Sequence, residues 1–205
     1  MVKTNRYDLS FTGFSLRVID MANVAIVYRE KGTVDYQVFG EGKSSTAKKW
    51  FNEIYKRLKT LTPRQLNLLI EGDLEAKKQV GFLSVCKKHL FIRDFTVEVI
   101  REKLLIYDYQ ITEGEYLSFF RRKAELHPEL DGLTETSKKK VKQVTFRILE
   151  QAGIIDNAKN KSIQPQLLEE KVIHAIAEDE KEWLKILLMS DLEIENLNRY
   201  GGTGK

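Results

Sequence analysis

Two stretches of this chain carry residue types that suit one kind of chemistry. Ser44 to Leu58 reads SSTAKKWFNEIYKRL, and Thr134 to Leu149 reads TETSKKKVKQVTFRIL. Laid over each other without a gap, Ser44 meets Thr134, Thr46 meets Thr136, Lys48 and Lys49 meet Lys138 and Lys139, and Arg57 meets Arg147. Hydroxyl side chains at such a start cap a helix, and the free backbone N–H groups there can hold a phosphate. Lysine and arginine neutralise phosphates and read guanine edges, a glutamine can pair with adenine, and a threonine can touch phosphate or a thymine methyl. Double-stranded DNA is the polyanion this order of residues fits.

Helical phase sharpens the expectation. At about 100° per residue, Val144, Ile148 and Ala152 share the side of Val141, while Thr136, Lys139, Lys140, Gln143 and Arg147 fall opposite. With Thr134, Lys138 and Lys142 around them, these form the expected DNA-contacting set of the second copy. In the first copy Phe51, Ile54 and Leu58 point inward, and Thr46, Lys49, Trp50, Glu53, Lys56 and Arg57 outward. Ser44 and Lys48 complete that set. Glu53 takes the place of Gln143 and Trp50 that of Lys140, which interrupts the basic face. A carboxylate there repels phosphate unless it accepts from a cytosine amine. The plain alternative for both copies is a solvated lysine face.

The elements that would position these faces are helical. FSLRVIDMANVAIVY, from Phe14 to Tyr28, has apolar residues at three- and four-residue steps and predicts an amphipathic helix ended by Gly32. TVDYQVF is a helical turn or brief strand, GEGKSS a loop, and Ser44 or Ser45 caps a helix over about 45–60. Pro63 to Ile111 predicts two or three helices acting as a structural hub, with Asp94 an N-cap. From Thr112 the first order returns: helix, the short HPELDGL connector, and a long helix over about 135–152 stopped by Gly153. Ile154-Ile155 and Ser162-Ile163 flank an Asn/Lys loop and suggest a small hairpin, a candidate wing. The rest to about Asn196 is helical and acidic, with YGGTGK a frayed tail. The expected architecture is all-α. Helix-turn-helix lobes at 1–62 and 112–205, the second with the candidate wing, flank a helical middle domain at 63–111.

Charge follows the same division. Residues 1–168 hold 29 bases and 21 acids, whereas nine acids face five bases beyond them. One cysteine, Cys86, excludes an internal disulfide and suits a reducing cytoplasm. The longest apolar run, LKILLM, is far too short to span a bilayer. His89, His127 and His174 lack metal-ligand spacing, Cys86 is not in a CxxC pair, and GGTGK lacks the frame of a phosphate-binding loop. No catalytic centre, metal or cofactor is expected, and Cys86 reads as a small buried hydrophobe.

YDLSFTGFSLRV near the start, CKKHLFIRDFTVEVIREKL from Cys86 to Leu104, and SFFRRKAELHPELDGLTETSKKKVKQVTFRILEQAGII from Ser118 to Ile155 resemble the BrxA family of BREX phage-exclusion systems. The resemblance implies an all-helical, monomeric, cytoplasmic protein with two helix-turn-helix motifs around an intermediate domain. It also implies DNA binding without catalysis, and other proteins of the system as partners. The family's DNA contacts map onto Thr134 to Arg147 and, less closely, onto Ser44 to Arg57. The competing class is a helical adaptor holding protein partners through these faces and the acidic C-terminal helices. RNA binding ranks lower because no aromatic stacking platform is evident.

Overall fold

The computed structural model describes residues 6–31 and 45–200. The expectations for Gly32, TVDYQVF, the GEGKSS loop up to Ser44, and the tail after Tyr200 lie outside the described residues. The fold is all-α: α1 Val18–Lys31, α2 Ser45–Leu58, α3 Pro63–Glu71, α4 Leu74–Lys88, α5 Leu90–Phe95, α6 Glu102–Leu105, α7 Glu113–Ala124, α8 Pro128–Asp131, α9 Glu135–Gln151, α10 Glu170–Glu180 and α11 Asp191–Tyr200.

The middle of the chain is the hub. α4 buries residues all round, from Ala76 through Val80, Phe82, Leu83, Val85 and Cys86, the pattern of a core helix rather than a surface one. Gly81 permits this, because a Cβ there would stand 3.2 Å from Val18 Cγ2 at the start of α1. Burial pushes the Cys86 thiol up and leaves it inert. α3 opens on a capping box between Thr62 and Gln65 with Pro63 in the first turn. Gln65 then donates to the Ala175 carbonyl at 2.9 Å and ties α3 to α10.

Asp94 was expected to cap a helix, but α5, a π-turn segment at Thr96–Arg101 and α6 follow without a break and place it inside one helical run. Its carboxylate accepts from Tyr7 Oη at 2.6 Å and pairs with Lys123 at 3.0 Å, so its acidity serves tertiary contacts instead. The expected Phe14–Tyr28 helix also starts later, at Val18. Residues 7–16 are instead a strap containing one 3-10 turn at Ser10–Gly13, with Phe11 and Leu16 fully buried.

This strap crosses a buried ionic network. Glu53 on α2 pairs with Arg57 one turn on, at 3.1 Å, and with His89 Nε2 at 2.5 Å. Ser10 Oγ donates to Glu53 at 3.0 Å, and Arg57 Nη1 donates to the Ser15 carbonyl at 2.9 Å. His89 Nδ1 meets the Asp8 carbonyl at 3.0 Å, so both ring nitrogens face oxygens. On the far side Tyr7 stacks on His127 at 3.8 Å and donates its backbone N–H to Glu129. Leu16 N–H donates to Gln151 Oε1 at 2.8 Å, at the end of α9. Burial alone would raise the Glu53 carboxyl, but His89 and then Arg57 hold it at about 2.

A folded value below the ordinary 4.5 means that Glu53 takes up its proton more readily in the unfolded chain. Its stabilisation is full above that ordinary value and is lost as pH falls toward about 2. Urea unfolding followed by circular dichroism should show stability dropping across this window, and Glu53→Gln should be less stable at neutral pH and flatter within it. Arg57→Ala strands a buried carboxylate and should cost about 3–5 kcal/mol, read as a lower urea midpoint.

Candidate nucleic-acid interface

Thr134 opens α9 from an extended backbone, and its hydroxyl accepts from Ser137 N at 3.2 Å. Gly153, at φ +74°, closes the helix. Its N–H bonds the Glu150 carbonyl at 3.0 Å while Ile154 N–H bonds that of Leu149 at 2.9 Å, a Schellman closure only a left-handed residue permits. Val141, Val144, Ile148 and Ala152 are buried, as their phase requires. Thr136, Lys139, Lys140, Gln143 and Arg147 are all exposed. Five of the expected residues therefore share one solvent-facing surface that runs about 17 Å along the helix.

Ion pairing divides the cations of this helix. Lys138 pairs with Glu135 at 3.0 Å, and Lys142 pairs with Glu113 of α7. Both are half-buried on the flank. Lys139, Lys140 and Arg147 have no carboxylate partner among the described residues, and Lys140 reaches only Gln143 Oε1 at 3.4 Å. Charge left unneutralised by the protein is charge available to an anion.

Behind α9 the chain makes a reduced version of the expected hairpin. Ile155 and Ile163 form one antiparallel bridge, and Gln110 and Ser162 another. Asp156 N–H bonds the Ser162 carbonyl at 2.9 Å, and Ile163 N–H bonds that of Tyr109 at 2.7 Å. Three short segments are thus pinned together, and they hold Lys159 and Asn160 exposed at the tip.

α2 requires a correction. Phe51, Ile54 and Leu58 are buried and Lys49 and Lys56 exposed, as expected. Arg57 and Glu53, placed outward by phase, are 1 % and 4 % exposed. The strap covers that flank, and their charges neutralise each other inside it. Arg57 is therefore not available to a phosphate. Trp50 is half-buried, with the Arg17 guanidinium 4.4 Å from its ring. Lys48 is exposed, Ser44 lies outside the described residues, and so does the side chain of Thr46.

The burial pattern moves the alignment of the two helices by one residue. With Lys48 set on Lys139, Lys49 meets Lys140, Asn52 meets Gln143 and Lys56 meets Arg147, and all eight are exposed. Buried Glu53 and Arg57 then meet buried Val144 and Ile148. The carboxamide of the first copy is Asn52, which the ungapped alignment hid by matching Lys48 to Lys138.

The BrxA family model matches residues 5–180, which include both helices and the strap. The chain belongs to the BrxA family. It is 27% identical over 186 residues to the BREX protein BrxA of Bacillus cereus (strain H3081.97), covering 86% of this chain and 92% of that one. Against the BREX protein BrxA of Escherichia coli O9:H4 (strain HS) it is 23% identical over 131 residues, covering 64% and 62%. The fold is shared with the crystal structure of an uncharacterized protein from Magnetospirillum magneticum, with a TM-score of 0.78 over 90% of this chain and 99% of that one at 18% identity. Among the described residues no helix is long and apolar enough to cross a membrane, and no three His, Cys, Asp or Glu side chains converge as metal ligands.

In this BrxA-family chain the two N-terminal threonines of α9 have separable duties. Thr134→Ala should lower stability by about 1 kcal/mol through loss of the cap. Thr136→Ala should change it by less than about 0.5 kcal/mol; paired urea titrations measure both.

Proposed function

We propose that this chain is a non-catalytic accessory protein of a BREX phage-exclusion system that binds double-stranded DNA as a cytoplasmic monomer. The observation carrying this reading is the set Lys139, Lys140 and Arg147, without a carboxylate partner among the described residues and with Gln143 between them, on one exposed face of α9. In this reading α7, α8 and α9 act as a helix-turn-helix. α9 is the recognition helix, residues 154–164 form the wing, and Thr136 adds a phosphate or thymine contact. Lysines position the protein on phosphates, while Gln143 and Arg147 have the chemistry to read adenine and guanine edges. Lys48, Lys49, Asn52 and Lys56 supply a second face of like composition, in a first unit at 1–62 joined through 63–111 to the second at 112–205.

Fluorescence anisotropy with a labelled duplex, titrated in salt, tests it. Log affinity should fall linearly with log salt, losing about 0.9 of slope for each phosphate contact removed. Reversing Lys139, Lys140 and Arg147 to Glu should abolish most binding with the helical signal intact, and reversing Lys49 and Lys56 should weaken it less. Unchanged affinity in the α9 variant removes the assignment.

A further inference from the structure

One side chain closes the loop at the tip of the candidate wing. Asp156 Oδ1 accepts from the backbone N–H groups of Asn157 and Ser162 at 2.6 and 2.8 Å. Its Oδ2 accepts from the side-chain amides of Asn157 and Asn160 at 3.1 and 2.5 Å. Asn157 Oδ1 in turn accepts from the N–H groups of Lys159 and Asn160 at 3.0 and 2.7 Å, and the Asn157 carbonyl from that of Lys161 at 2.8 Å. The Asn160 amide, with the backbone N–H groups, holds the Asp156 carboxyl below its ordinary range. Each residue kept in one conformation costs about 1–2 kcal/mol of entropy. These bonds offset that cost in an exposed loop.

What the fixed loop holds out is a cation. Lys161 is engaged at the root, its Nζ 5.0 Å from the Phe146 ring centre and 3.8 Å from Glu113. Lys159 is exposed and has no carboxylate partner among the described residues. Phe146 belongs to α9, and Glu113 also pairs with Lys142 of α9. The root of the loop therefore lies along the flank of the helix that carries Lys139, Lys140 and Arg147.

We propose that the loop locked by Asp156 sets Lys159 on the phosphate backbone of the duplex that α9 engages, a contact that adds affinity without sequence preference. This rests on the DNA-binding reading of α9. A carboxamide reads adenine by donating and accepting together, and the amides of Asn157 and Asn160 are turned onto Asp156. A lysine ammonium acts on phosphate as a point charge. Asp156 is then a positioning residue, an acid beside a polyanion whose presence strengthens binding.

That sign supplies the test. Asp156→Asn removes a negative charge from beside the duplex, which by charge alone tightens binding. It also sets an amide donor against the Asn157 and Asn160 amides and frees the loop, so the expected result is weaker binding. The readout is anisotropy of the full chain with one A·T-rich and one G·C-rich duplex, titrated in salt. Lys159→Ala should lower affinity roughly threefold on both and reduce the salt slope by about 0.9. Asp156→Asn should weaken both complexes and cost nothing further in a Lys159→Ala background. Tighter binding by Asp156→Asn overturns the positioning role, and a Lys159→Ala loss confined to one duplex overturns the lack of sequence preference. If the α9 reversals abolish binding while Lys159→Ala binds as the parent does with an unchanged slope, the wing contact alone fails. If the parent binds neither duplex, the reading of α9 fails with it.

Discussion

The contact on which the arrangement depends is the buried Glu53 carboxylate between Arg57 and His89. Ions taken out of water are tolerated only with dense pairing and hydrogen bonding, and the strap of residues 7–16 supplies it. Ser10 bonds Glu53, the Ser15 and Asp8 carbonyls accept from Arg57 and His89, and Lys88 closes on Asp8. The same strap then reaches α9 through Gln151 and the α7–α8 corner through Glu129 and His127. Two basic helices far apart in sequence are thereby fixed to one frame. Polar bonds with defined geometry, rather than interchangeable apolar contacts, set how the strap lies.

That network also explains which parts of the fold were legible from sequence. α9 was legible throughout, because one face is apolar, the other polar, and its cap and glycine stop are local signals. α2 was legible only on its apolar side. A buried ion pair spaced one turn apart looks like a solvated pair on a helical wheel, and only the tertiary cover over Glu53 and Arg57 separates the two. Asn52 was hidden for the same reason, since Arg57 seemed the natural counterpart of Arg147. The later start of α1 follows from Leu16, which is apolar and in helical phase yet spent in the strap. Asp94 had the right type for a cap but serves Tyr7 and Lys123, partners distant in sequence.

The proposed DNA-binding reading rests on how cations are paired across the molecule. Many basic side chains among the described residues are committed to carboxylates: Lys87 to Asp179, Lys103 to Asp108 and Glu115, Lys123 to Asp94 and Glu98. On the α9 face three cations without a carboxylate partner among the described residues stand together, and the α2 face matches it in residue type once the register is shifted by one. In the DNA-binding reading proposed above, a frame that holds two such surfaces would engage one duplex at two places, with the second contact strengthened by the first.

Hydroxyl-radical footprinting of a duplex bound to the full-length chain tests this most directly. The account predicts two protected stretches, one erased by reversing Lys139, Lys140 and Arg147 to Glu and the other by reversing Lys49 and Lys56. A single protected stretch that neither set of reversals alters would contradict it.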